Sequence, residues 1–152
     1  MAKKEIITMG TVSGSAINIH FSVGAGGSND KADVMLIQAM FLYIGSISLD
    51  ANPTRYLGFP LSDLPAISGV CDSKTKSAIL RFQQRNAKRL LGADGLIHPA
   101  SYEGRNLKPG LQRMMTITWL HFIGCEVGIY YAEPYYIDSL INIVPDLRPW
   151  LM

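Results

Sequence analysis

Residues 72–90 constrain the fold of this chain more than any other stretch. At 100° per residue, Thr75, Ala78, Ile79, Phe82, Asn86 and Leu90 fall within about 120° of arc, with Phe82 central. A helix of that pattern must bury one face, so the rest of the chain has to supply a partner surface. Asp72 is placed to N-cap the helix, where a carboxylate also suits the helix dipole. Lys74, Arg81, Arg85 and Lys88 form an adjoining stripe, and Lys76 and Arg89 lie elsewhere on the same predicted helix. Asp72 is the only acidic residue between positions 64 and 93, so the basic face has no local partner. It is either a solvated helix face or a contact for something anionic: muropeptide carboxylates, phosphate polymers or nucleic acid.

Other elements can be read around this helix. Ile17, Ile19, Phe21 and Val23 alternate with Asn18, His20 and Ser22, the period of a half-buried strand over residues 16–23. Residues 5–12 are its expected hairpin partner, joined through Ser13-Gly14-Ser15. Gly24-Ala25-Gly26-Gly27-Ser28-Asn29-Asp30 is a break whose glycines permit positive φ. It lacks both the GxGxxG spacing and a following Lys-Ser/Thr, so it is not read as a nucleotide loop. Residues 31–44 predict a helix with an apolar stripe of Val34, Ile37, Phe41 and Ile44, with Leu42 beside them. The connection at 45–68 is long and carries Pro53, Pro60 and Pro65, and such connections are often functional. Gly92-Ala93-Asp94-Gly95 predicts a tight turn, followed by a short helix over 100–104. Beyond it, Leu111, Met114, Met115, Thr118 and Phe122 have helical spacing, residues 130–136 read as a tyrosine-rich turn, and 137–144 as another helix.

Composition sets the outer limits. The 152 residues suffice for one domain with a real core. Hydrophobic residues make up 48 % and charged residues only 17 %, which excludes a disordered tail or a solvated coiled coil. Fourteen basic against twelve acidic residues leave a net charge of +2, too balanced to argue a nucleic-acid or membrane partner. Two cysteines, Cys71 and Cys125, exclude a disulfide-dense fold and a four-cysteine zinc site; one bridge or two buried thiols remain open. The start Met1-Ala2-Lys3-Lys4-Glu5 is not followed by an unbroken apolar segment or a cleavage site, so the chain is expected to be cytoplasmic at synthesis. The apolar stretch 114–131 contains His121, Gly124, Glu126 and Gly128, which reads as a buried segment and not a membrane span.

Catalytic chemistry has few candidates. His121 and Cys125 share a helix face at metal-ligand spacing, but no second ligand pair accompanies them, and a buried His and Cys is the preferred reading. No third group is placed to orient a Cys/His pair. Asp50, Asp63, Glu103, Glu126 and Glu133 show no pairing of the kind a glycosidase needs. The expectation is therefore a protein that is not an enzyme, with no catalytic residue, no metal and no cofactor. Tyr130, Tyr131, Tyr135 and Tyr136 either pack the C-terminal block or form a glycan or protein surface.

Three fragments together carry a resemblance. They are Asp33-Val34-x-x-Ile37-Gln38-x-x-Phe41-Leu42-x-x-Gly45, then Gly69-Val70-Cys71-Asp72-x-x-Thr75-x-x-Ala78-Ile79-x-x-Phe82-Gln83, then Asp94-Gly95-Leu96-Ile97-x-Pro99-Ala100-Ser101. In this order the chain resembles the peptidoglycan-binding-domain-like three-helix family over residues 30–104, about half its length. That family shows V-x-x-L-Q, then G-x-F-D/G-x-x-T-x-x-A-V-x-x-F-Q, then D-G-x-x-G-P-x-T. Here Cys71 stands for the usual aromatic, His98 for a glycine and Ser101 for a threonine, and the 45–68 and 87–91 stretches are longer. Most motif residues read physically as fold residues: Gln38 and Gln83 are placed to bond loop backbone, and Thr75 and Phe82 face the core. The segment Ser22-Val23-Gly24-x-Gly26-Gly27-x-Asn29-x-x-x-Asp33-Val34 is similar to the lead-in of such modules in bacterial secretion and contractile injection proteins.

The resemblance implies a three-helix peptidoglycan-binding-like core over 30–104; the residue patterns outside it add a non-family N-terminal β-hairpin arm over 1–29 and a C-terminal helical extension over 105–152 packed on the core, for a mainly α fold. It implies a non-catalytic module that binds cell-wall peptidoglycan or glycopeptide in a groove beside the 73–90 helix. Arg81, Arg85, Asn86 and Tyr102 are the candidate ligand contacts. The alternative is a structural, adaptor or effector-associated subunit of a phage-like or secretion machine, using the module as a protein-interaction scaffold. A protein partner or a second copy would then dock on the C-terminal extension. Neither nucleic acid nor a membrane is an expected partner, and wall binding would require delivery to the periplasm by a non-classical route.

Overall fold

The element that organises the molecule is the helix α1, Lys31–Leu42, continued by a π-helical turn at Tyr43–Ile47. The computed structural model describes residues 3–9, 12–47, 52–100, 106–107, 114–127 and 133–152. A single apolar stripe predicts a helix with one wet face. Instead every residue from Leu36 to Phe41 is buried, followed by Tyr43 and Ile44, so α1 is covered in every direction around its axis. Its sequence explains this: Leu36, Ala39, Met40 and Tyr43 fill the positions between the stripe residues. A helix apolar all round has to lie inside the protein.

The remaining elements pack on α1 or on one another. The strands β1, Lys3–Met9, and β2, Val12–Asn18, form an antiparallel hairpin. Strand β3, Val23–Gly24, pairs with β4, Leu96–Ile97, and β5, Asn106–Leu107, joins β1 in parallel. The 45–68 connection contains a short helix α2, Thr54–Leu57, and a 3₁₀ turn at Leu61–Asp63. Helix α3 is Ser73–Arg85. The C-terminal segment supplies α4, Thr116–Val127, α5, Glu133–Ile143, and α6, Arg148–Leu151, the last preceded by a 3₁₀ turn at Pro145–Leu147. The chain is thus mainly helical with small sheets. Ile117, Leu120 and Ile123 of α4 and Tyr136, Ile137, Leu140 and Ile141 of α5 belong to the same hydrophobic cluster as α1.

Several sequence expectations are corrected. Ser13, Gly14 and Ser15 are not the hairpin turn; they pair with Thr8, Ile7 and Ile6 inside β2, and Met9 faces Val12. The strand also stops at Asn18 and does not run to residue 23. There the backbone finds side-chain partners in place of a ladder: Ile19 N donates to Asn18 Oδ1 at 2.9 Å, and His20 N and Phe21 N donate to the Asp33 carboxylate at 3.2 and 3.0 Å. Phe21, expected on the apolar face, is consequently exposed. Helix α3 ends at Arg85, short of residue 90, because Asn86 caps it and Leu90 bridges to Met114. Helix α5 starts earlier than residue 137, with Pro134 in a first turn that needs no N–H from it. The helix predicted over 100–104 lies almost wholly outside the described residues, as do Leu111 and Tyr130.

Two buried glutamines fasten the loops. The Gln38 Oε1 accepts from Ser68 N and Gly69 N at 2.9 and 3.0 Å, while its Nε2 donates to Val70 O at 3.0 Å and Thr75 Oγ1 at 3.1 Å. Thr75 in turn donates from both N and Oγ1 to the N-cap Asp72, at 2.9 and 2.7 Å. The Gln83 Oε1 accepts from Gly95 N at 2.8 Å, and its Nε2 donates to Leu96 O at 2.7 Å and Thr116 Oγ1 at 3.1 Å. Aromatic edges lock the same region: Phe41 of α1 meets Phe59 and Phe82 with centroids 5.6 Å apart in each case.

Gln38→Ala strips the partners from two loop N–H groups. The expected loss is roughly 1–3 kcal/mol for each group left buried and unpaired, read as a lower midpoint in urea denaturation. Asp72 gives a pH signature. The Thr75 hydroxyl, then its N–H, holds the Asp72 carboxyl below its ordinary value of 3.8. A depressed folded value means the cap's contribution is complete above pH 3.8 and fades as pH falls through the folded value. Between neutral pH and pH 3, wild type should therefore lose more stability than Asp72→Ala does.

Candidate functional site

Helix α3 ends against α2 and α4, and the three make an open cleft of about 470 Å³. Its lining includes Arg55 and Tyr56 from α2, Arg85 from α3, Lys88 and Arg89 from the turn that follows, and Trp119 from α4. Among the described residues, four cations and two aromatics line it and no carboxylate does.

Asn86 builds the cleft. Its Nδ2 donates to Tyr56 O and to Phe82 O, each at 2.8 Å, and its Oδ1 accepts from the Trp119 indole Nε1 at 3.0 Å. One amide thus caps α3, anchors α2 and orients the tryptophan. Gly58, at φ 79°, lets α2 close on α3: a Cβ there would meet Arg85 Cβ at 2.6 Å and Arg81 O at 2.7 Å. The Arg85 Nε donates to Arg55 O at 2.8 Å, which directs the rest of that guanidinium outward. The Arg55 guanidinium lies 4.7 Å over the Tyr56 ring and donates to its hydroxyl at 2.7 Å. Arg89 lies 5.7 Å over the Trp119 ring. Stacked guanidiniums are held flat with less loss of freedom than solvated ones. Like charges this close repel one another, and an anion entering the cleft relieves that repulsion. The chemistry on offer is forked hydrogen bonding to carboxylate or phosphate, with ring faces for a sugar or planar group.

Of the candidate contacts, Arg85 and Asn86 come together here, Asn86 as a structural tie facing Trp119. Arg81 does not join them. It sits on the next stretch of α3, ion-paired to Asp63 at 2.9 Å and 5.9 Å from the Phe59 ring centroid. Tyr102 lies outside the described residues. Arg55, Tyr56 and Trp119 were not legible as site residues. The first two sit in the long proline-bearing connection, which is flagged by length alone, and no spacing relates Trp119 to α3.

The other candidate groups have structural settings. His121 is buried, accepts from Ile17 N at Nδ1 over 3.3 Å, and has Cys125 Sγ 3.6 Å from Nε2. It ties α4 to β2. Tyr136 packs 5.8 Å from the His121 ring and passes over Gly124, where any Cβ would collide with its ring. Burial first, then Cys125 and Tyr43, pushes the Tyr136 phenol well above its ordinary range. Among the described residues no three His, Cys, Asp or Glu side chains cluster as a metal site. Cys71 and Cys125 are not joined in a disulfide, and burial pushes the Cys71 thiol up. Asp94 accepts from His98 at 3.0 Å, which with the Leu96 N–H holds its carboxyl below the usual range. No helix among the described residues is long and apolar enough to cross a membrane.

Comparison with family models, with curated proteins and with solved structures finds no match.

Asn86→Ala should free the Trp119 indole and uncap α3 together. In a Trp150→Phe background, Trp119 emission is expected to shift to the red, and stability to fall by roughly 1–3 kcal/mol in urea denaturation.

Proposed function

We propose that this protein is a non-catalytic binding module for an anionic glycopeptide, bacterial peptidoglycan, held in the cleft between α2, α3 and α4. The observation that carries the reading is four cations and two aromatic rings around one cleft whose described lining holds no carboxylate. Peptidoglycan matches on both counts: stem-peptide carboxylates for the guanidiniums and sugar faces for the rings. The paired glutamine clamps lend support. Gln38 and Gln83 occupy the two glutamine positions of the resembled motifs; Gln38 bonds the backbone of the loop that leads into α3, and Gln83 that of the turn at Gly95. On this reading α1 and α3 are two helices of a three-helix peptidoglycan-binding-like core, and Asn86 fixes the ligand-facing end of the second. The mechanism is adhesion: the module places itself, or an associated activity, at the wall, and needs a route of delivery to reach it.

The adaptor reading draws on the apolar excess of the C-terminal segment. Its described apolar residues, from Ile117 to Leu151, are largely buried in the common hydrophobic core. The excess hydrophobicity is needed inside the molecule, so the cleft carries the stronger reading.

The test is sedimentation with purified sacculi. Wild type should pellet at low ionic strength and be released as salt rises, because exposed charge contacts are screened. Arg85→Ala combined with Arg89→Ala should weaken retention by at least about tenfold, as charge-assisted hydrogen bonds contribute roughly 1.5–3 kcal/mol each. Wild type remaining in the supernatant at low salt defeats the proposal.

A further inference from the structure

A second cleft, of about 360 Å³, opens further toward the start of α3, and it changes what the first can bind. Its lining is Phe59 and Asp63 from the 45–68 connection, with Ser73, Lys74, Ser77, Ala78 and Arg81 from α3. At 100° per residue, these α3 positions and Gln84 and Arg85 of the first cleft all fall within about 140° of arc. The two clefts therefore share one face of α3 and lie end to end. From residue 73 to residue 85 that face is about 18 Å long. The connection forms the opposite wall throughout: Arg55 and Tyr56 beside the first cleft, Phe59 and Asp63 beside the second. Gly58 stands between them; Arg81 O and Arg85 Cβ occupy the place its Cβ would take, so the chain touches α3 there and a ligand reaching both clefts passes over it.

Among the described residues, Asp63 is the one carboxylate in either lining. It meets Arg81 through a single 2.9 Å contact, and the two side chains are 46 % and 39 % exposed. An ion pair that wet is weak and easily exchanged. A ligand carboxylate replacing Asp63 on Arg81 would also have Lys74 within the same cleft.

We propose that the face of α3 carries two anion subsites on either side of Gly58, together reading at least two successive repeats of a peptidoglycan strand. One subsite centres on Arg85 and Arg89, the other on Arg81 and Lys74, and Asp63 fills the second until ligand displaces it. The inference rests on the peptidoglycan reading and adds a length requirement and an internal competitor. Joining two weak sites on one ligand makes the second contact intramolecular, so affinity rises with repeat number and not with charge alone.

The experiment is calorimetric titration of the full chain with two soluble peptidoglycan fragments, a single disaccharide-peptide and an uncut strand of several repeats. The strand should bind at least about tenfold more tightly per ligand than the single repeat. Lys74→Ala and Arg81→Ala should abolish that ratio while leaving single-repeat binding in place. Lys74 is exposed, so its variant perturbs no core packing. Asp63→Asn should tighten strand binding several-fold, the opposite of what loss of a merely structural ion pair does. Equal affinities for the two fragments in wild type, or a length preference untouched by Lys74→Ala and Arg81→Ala, overturn the two-subsite reading and leave the peptidoglycan reading standing. No binding of either fragment overturns both.

Discussion

Everything in this structure follows from burying α1 on all sides. A helix with Leu36, Ile37, Ala39, Met40 and Phe41 in succession has no face to give to water, and each direction around it must be met by another element. It also carries two polar side chains into that interior. Asp33 and Gln38 are fully buried; burying an unbonded amide costs roughly 2–7 kcal/mol, and an unbonded carboxylate far more. Asp33 accepts the N–H groups of His20 and Phe21, and Gln38 takes up the 68–70 loop and Thr75. The polar residues of α1 therefore decide where the chain before and after it must run, and its apolar residues decide that those segments stay.

The cleft is a by-product of that burial. The C-terminal segment packs on α1 through α4 and α5, and on the hairpin through α4 and α6. In doing so it brings α4 to the end of α3, where the Trp119 indole meets the Asn86 amide. The long connection packs in as well, with Leu57 and Phe59 in the core, and so carries Arg55 and Tyr56 to the same place. Apolar packing sets the positions of all three walls, and the charged residues ride outward on them. Their charges stay exposed, so they remain screened but available.

Much of this was legible from residue order. The N-cap Asp72, the core positions Thr75, Ala78, Ile79 and Phe82, and the loop-bonding roles of Gln38 and Gln83 could all be read from local spacing. So could the basic character of α3, and Arg85 and Asn86 beside one another. Less legible was where elements stop. The alternation through Phe21 and the helical periodicity through Leu90 both continue past the real ends, because groups from distant positions, the Asp33 carboxylate and the Met114 backbone, capture the chain first. Arg81 and Arg85 look equivalent on a helical wheel. Only the path of the connection makes one a partner of Asp63 and the other a wall of the basic cleft.

By itself, the sequence determined the amphipathic α3, its N-cap, the glutamine clamps and a basic face with no acidic neighbour in the local sequence. These are local properties, set by spacing along a single helix or a turn beside it. The tertiary structure alone decided that α1 is central and not amphipathic, that the C-terminal hydrophobic block faces inward, and that Arg55, Tyr56 and Trp119 stand around Arg85. Those contacts join residues some 30 positions apart. No period in the chain encodes such separations; they arise because one helix had to be covered from every direction.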